Sequence, residues 1–203
     1  MALSWLALGD SYTIGEGVPM AGRWPQQLAV ALRDRNIALD DPLTIATTGW
    51  TTDELDAGID AQPPKGPFDF VSLLIGVNNQ YRGRSVDDYG AQFDALLRRA
   101  VGFAGGRAAR VLVLSIPDWG VTPYAEGRDR QRIAAELDAY NAAASNACTR
   151  HGIAFVDITD LSRLHGAEPA MLVADGLHPS AKMYALWSQR AQPLAERLLR
   201  TAD

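Results

Sequence analysis

Cysteine occurs once in this chain of 203 residues, at Cys148. An intrachain disulfide and a cysteine-based metal cluster are therefore excluded. Histidine occurs only at His151, His165 and His178, with no clustered ligand spacing, so neither a metal centre nor any other cofactor is expected. Lysine is confined to Lys65 and Lys182, arginine supplies the remaining positive charge, and the net charge is −5. An acidic chain gains no counterion release from phosphates, so no nucleic-acid partner is expected. No window is long and apolar enough to span a bilayer. The N-terminus lacks a basic segment, and its apolar stretch is too short for a signal-peptide core, so a cytoplasmic setting is expected. Hydrophobic residues make up 47% and charged residues 21%. That is the balance of an ordinary globular chain, and the length suits one domain over 1–203. Oligomeric state is not legible from the sequence.

What is present is an alternation of apolar runs and amphipathic stretches. Strands are expected at 3–8, 43–47, 68–77, 110–116 and 153–158. Helices are expected at 24–35, 52–59, 85–102, 128–150 and 180–199. Ser85 is placed to cap its helix, with Asp87 and Asp88 favourable at the positive end. Strand–helix alternation repeated about five times predicts an α/β fold, a parallel sheet with helices on both faces. In such sheets ligand chemistry gathers outside the carboxyl ends of the strands. Ser11, Gly49, Asn78 and the Pro117 turn all follow expected strands at that edge.

Two stretches carry the chemistry. Gly9-Asp10-Ser11 follows the first strand, and Asp175-Gly176-Leu177-His178-Pro179 lies near the far end. A serine hydroxyl needs a base within hydrogen-bond reach, and the base needs a third group to hold its tautomer. Asp175 and His178, three residues apart, form such a base–orienter module, leaving only Ser11 to be brought in by the fold. His151 and His165 are the competing bases. His151 sits at a helix end before Gly152, and His165 is read as a loop residue without an acidic partner at comparable spacing. Acyl transfer also needs donors aimed at the developing oxyanion. Gly49, whose backbone permits close approach, and the Asn78 amide are the candidates; the alternative is that both cap loops.

Taken together, these blocks resemble the GDSL-type esterases of the SGNH hydrolase superfamily. Gly9-Asp10-Ser11-Tyr12 is similar to the block carrying the nucleophile, here Ser11. Gly49 and Asn78 match the second and third blocks as oxyanion donors beside the Ser11 N–H. Asp175 and His178 match the last. The third block usually continues with aspartate, where this chain has Asn79, and the second usually begins with asparagine, where Thr47 stands. The resemblance implies a three-layer α/β/α sandwich around a five-stranded parallel sheet, and hydrolysis of esters or thioesters without a metal.

The expected partner is thus a small or short-acyl ester or thioester. Trp50, Asn79, Tyr81 and Arg82 are the candidate substrate-contacting residues, with Arg84, Tyr124, Glu126 and Arg128 as further rim candidates. Trp50 reads equally well as core. Short connections predict an open, shallow cleft. Longer-chain lysophospholipase or thioesterase activity, a carbohydrate- or ligand-binding module on the same fold, and a flavodoxin-like phosphate-binding module are the alternatives. The last is disfavoured because the 9–17 loop contains Asp10 and Glu16 and no lysine.

Overall fold

The computed structural model describes residues 2–200. Five parallel strands form one sheet: β1 (Trp5–Gly9), β2 (Leu43–Ala46), β3 (Phe70–Leu74), β4 (Val111–Leu114) and β5 (Ala154–Val156). Their spatial order is β2-β1-β3-β4-β5. Leu6 lies level with Leu43 on one side and Val71 on the other, and Val71 lies level with Val111. The three inner strands are buried along their whole length, while the two edge strands are only partly covered. That is why β1, β3 and β4 read as continuous apolar runs rather than alternating ones.

The helices α2 (Trp24–Arg33) and α8 (Ala181–Arg200) pack on each other, and α3 (Thr52–Ala61), α5 (Val86–Phe103) and α6 (Arg130–His151) form a second packed group, giving helix layers on both sides of the sheet. Ser85 caps α5 by accepting the Asp88 N–H at 3.1 Å, as its sequence context predicts. Three short helices have no counterpart in the expected elements: α1 (Ser11–Ile14), α4 (Val77–Tyr81) and α7 (Thr159–His165). Helices of one to two turns bury too few residues to show a 3.6 period, so periodicity does not find them. The expected third strand therefore ends early. Its last residue, Val77, begins α4 after a glycine turn at Gly76. No helix among the described residues is long and apolar enough to cross a membrane.

The strand order reverses between β1 and β3. Chains leave these two strands in opposite directions across the sheet, which opens a crevice at their carboxyl ends. α1 emerges there from β1 and α4 from β3.

Candidate active site

Ser11 is the first residue of α1, separated from the buried β1 by Asp10 alone. Asp10 caps this helix: its Oδ1 accepts the Tyr12 N–H at 3.0 Å, and its main-chain carbonyl accepts from Thr13 and Ile14. The turn is tight enough that Gly9 admits no side chain, since a Cβ there would lie 2.2 Å from Thr13 Oγ1 and 2.5 Å from the Leu74 carbonyl. The glycine thus lets Thr13 of α1 turn back against the end of β1, beside the paired end of β3. As the first helical residue, Ser11 has an N–H with no intrahelical acceptor.

The Asp175–His178 loop meets this turn from the other end of the chain. Asp175 Oδ1 accepts the N–H groups of Leu177 at 2.8 Å and His178 at 2.9 Å. Its Oδ2 lies 2.6 Å from His178 Nδ1, and His178 Nε2 lies 3.0 Å from Ser11 Oγ. The three groups expected from spacing are therefore in series. With Nδ1–H donated to the carboxylate, Nε2 is the acceptor for the serine proton. Burial raises the Asp175 carboxyl, but the His178 ring and the two N–H donors outweigh it, so its pKa sits below the ordinary aspartate value. The orienting group is an anion near neutral pH.

Two further donors flank Ser11. Gly49 lines the cleft with φ +87°, a backbone conformation natural to glycine. Its N–H makes no hydrogen bond among the described residues. Asn78 Nδ2 donates to the Trp50 carbonyl at 2.9 Å. A carbonyl only accepts, so this bond fixes the amide with its nitrogen on that side, and one N–H remains for the cleft. The cleft holds about 180 Å³ and opens to solvent. Besides Ser11, His178, Gly49 and Asn78, its walls are mainly Val77, Tyr81, Trp119, Tyr124 and Leu177.

Of the four candidate substrate contacts, only Tyr81 lines the cleft. Trp50 instead lies over Gly58 of α3, where an added Cβ would meet its ring at 2.2 Å. Asn79 is fully buried and pairs with Thr52, donating from Nδ2 to Oγ1 at 2.7 Å and accepting the Thr52 N–H at 3.1 Å. The amide thus ties α4 to α3 and is shut off from any substrate. Arg82 points to the Gly49 carbonyl at 2.7 Å and Glu54 at 3.0 Å. Arg84 pairs with Asp53. The Asn79 and Arg82 contacts depend on α4, whose short span gives no periodicity in the sequence.

His165 also differs from expectation. It closes α7, and its Nδ1 lies 2.8 Å from Glu168, three residues on. An acidic partner at the same spacing as in Asp175–His178 is present, but this pair lines no part of the cleft. His151 lies 2.8 Å from Asp94, at the far end of α6.

The model of the GDSL-like lipase/acylhydrolase family matches residues 7–186. The chain belongs to that family. It is a hydrolase of the GDSL type, and the matched span contains every residue of the arrangement just described. Among curated proteins none matches the sequence. Solved structures share the fold. A lipase/acylhydrolase from Enterococcus faecalis is 18% identical, with TM-score 0.71 and full coverage of both chains. A lipolytic protein of the G-D-S-L family from Veillonella parvula is 16% identical, with TM-score 0.68, covering 95% of this chain and 97% of the other. A psychrotrophic esterase from Pseudoalteromonas sp., in a structure inhibited by monoethylphosphonate, is 16% identical, with TM-score 0.64, covering 97% and 93%. At these identities the likeness is one of fold.

Proposed function

We propose that this family member is a carboxylic ester hydrolase for small or short-acyl substrates, with Ser11 as nucleophile, His178 as general base and acid, and Asp175 as orienter. The observation that carries this reading is the unbroken relay from Asp175 Oδ2 through the His178 ring to Ser11 Oγ, at 2.6 and 3.0 Å. His178 Nε2 takes the Ser11 proton as Oγ bonds to the carbonyl carbon. The Ser11 and Gly49 N–H groups and Asn78 Nδ2 receive the negative oxygen. The carbonyl re-forms, the bond to the leaving alkoxide breaks, and His178 returns the proton to it. Water then gives a proton to His178 as its oxygen bonds to the acyl carbon; the bond from that carbon to Ser11 Oγ breaks, the acid leaves, and His178 returns the proton to Oγ.

Aromatic closure of the cleft supports the short-acyl part of the proposal. Tyr81 packs edge-on to Trp119 with centroids 5.4 Å apart, and its hydroxyl lies 3.2 Å from that of Tyr124. Arg128 lies over the Tyr81 ring at 5.1 Å and donates to its hydroxyl at 3.1 Å. Tyr81 and Trp119 also line a second groove beyond this wall, so they divide the two spaces.

The test is a panel of p-nitrophenyl esters of rising chain length and acyl-CoA thioesters, run on wild type and Ser11→Ala. The account expects turnover of the shortest esters, falling with chain length, and a loss on the order of 10⁶ in kcat for Ser11→Ala if the relay acts as a unit. Equal turnover by both proteins would overturn it.

A further inference from the structure

We infer that Arg82, held by Glu54, is a positioning residue that sets the Gly49 oxyanion donor, and that it does not bind substrate. This rests on the role proposed above for Gly49.

The Gly49 strap runs from the end of β2 to the start of α3 and carries no regular structure of its own. Two consecutive carbonyls of the strap are taken by side chains from α4 and its C-terminal cap. The Gly49 carbonyl accepts from Arg82 at 2.7 Å, and the Trp50 carbonyl accepts from Asn78 at 2.9 Å. Asn78 and Arg82 are four residues apart, the spacing that sets two side chains on one face of a helical turn. The Gly49 carbonyl shares its peptide plane with the Trp50 N–H, which donates to the Thr47 carbonyl at 3.2 Å, so Arg82 fixes one of the two planes that meet at the Gly49 Cα. The Gly49 N–H, unpaired among the described residues, is left for the cleft.

The Arg82 fork is itself oriented. One guanidinium nitrogen reaches Gly49, and the other donates to Glu54 Oε1 at 3.0 Å. Glu54 Oε2 accepts the Thr51 N–H at 2.9 Å, completing the capping box at the start of α3. Glu54 therefore joins the anchored end of the strap to the residue that grips its tip. The planar fork matters because it addresses two acceptors in fixed geometry, which a lysine ammonium on a flexible stem does not reproduce. At Gly49 the neighbouring space is open: a Cβ would find only Arg82, at 4.0 Å. The Trp50 ring on Gly58 and the Thr47–Trp50 turn bond anchor the strap on either side, and at Gly49 itself the Arg82 hydrogen bond is the side-chain contact.

The experiment compares wild type, Arg82→Ala and Arg82→Lys with p-nitrophenyl acetate, alongside Ser11→Ala. Arg82→Ala is expected to lower kcat by about 10- to 100-fold, a fraction of the loss from deleting an oxyanion donor outright. KM is expected to stay within about threefold, because the ground-state carbonyl gains little from this donor. Arg82→Lys recovers part of the loss, and added guanidinium ion at low millimolar concentration partly restores Arg82→Ala. A raised KM with unchanged kcat makes Arg82 a substrate contact and overturns the inference, as does activity within twofold of wild type. Hydrogen exchange over residues 47–52 supplies a readout that needs no turnover. Faster exchange confined to that strap in Arg82→Ala supports the clamp, and unchanged exchange overturns it. If wild type turns over no ester, the functional proposal has failed, and the exchange measurement still decides the clamp.

Discussion

Asp10, beside Ser11, makes a sharp stability prediction. It is wholly buried, with Oδ1 capping α1 and no hydrogen-bond partner for Oδ2 among the described residues. Burial pushes its carboxyl from 3.8 up to about 7. At roughly 1.36 kcal/mol per pH unit, a rise of that size disfavours the charged form by about 4 kcal/mol. In the unfolded chain Asp10 ionises at its ordinary value, but in the fold it holds its proton until near neutrality. The fold thus loses stability progressively as pH rises from about 4 to about 7, and the loss is complete above that. Asparagine caps as well as aspartate, has nearly the same shape and does not ionise. At pH 5 the wild type has lost only a minor part of this, and at pH 8 about 4 kcal/mol, so Asp10→Asn gains about 2–3 kcal/mol on it between the two. For a chain of this size that widens the gap in Tm by about 5–10 °C. Thermal unfolding of both proteins at pH 5 and pH 8 measures the gap. The other titrating groups are common to both chains and largely cancel. A gap that stays constant or narrows with rising pH would refute the reasoning.

Four further outcomes are expected. Asn78→Ala loses the amide donor and is predicted to lower kcat by about 10²–10³ with KM little changed, by steady-state kinetics. Gly49→Ala meets open space but a φ of +87°, so strain on the order of 1–2 kcal/mol should displace the strap and lower kcat without gross unfolding, by kinetics and circular dichroism together. Tyr81→Ala removes the partition between the cleft and the groove behind it and should shift the ester-length optimum upward, while Tyr81→Phe, which keeps the ring, should not. Cys148 is buried and its thiol is pushed up to about 12, so native protein should resist iodoacetamide and label only in denaturant, read by intact mass.

The sheet and the long helices were legible because their patterns are long. Inner strands buried on both faces give apolar runs, and α5, capped by Ser85, gives a strong helical period. The relay was legible for a different reason. Asp175 and His178 form a local module with a fixed spacing, and Ser11 is fixed to the end of a strand, so strand order alone brings them to one edge. The substrate-contact assignments fared worse where they depended on α4. A helix of five residues has too little periodicity to announce itself, yet its winding turns Asn79 inward to Thr52 and sends Arg82 to Gly49 rather than to the cleft. Trp50 was ambiguous from sequence because an indole beside a glycine suits a cavity wall and a core equally; the small Gly58 on α3 resolved it toward packing. His165 was misread because α7 was not foreseen, although Glu168 stood three residues on.

The central claim is that the Ser11 hydroxyl is the nucleophile. A fluorophosphonate probe, followed by peptide mass spectrometry, tests it directly. The account predicts a single adduct on Ser11, sharply slowed in His178→Ala and absent in Ser11→Ala. An adduct on another serine, or equal labelling of the Ser11→Ala protein, would contradict it.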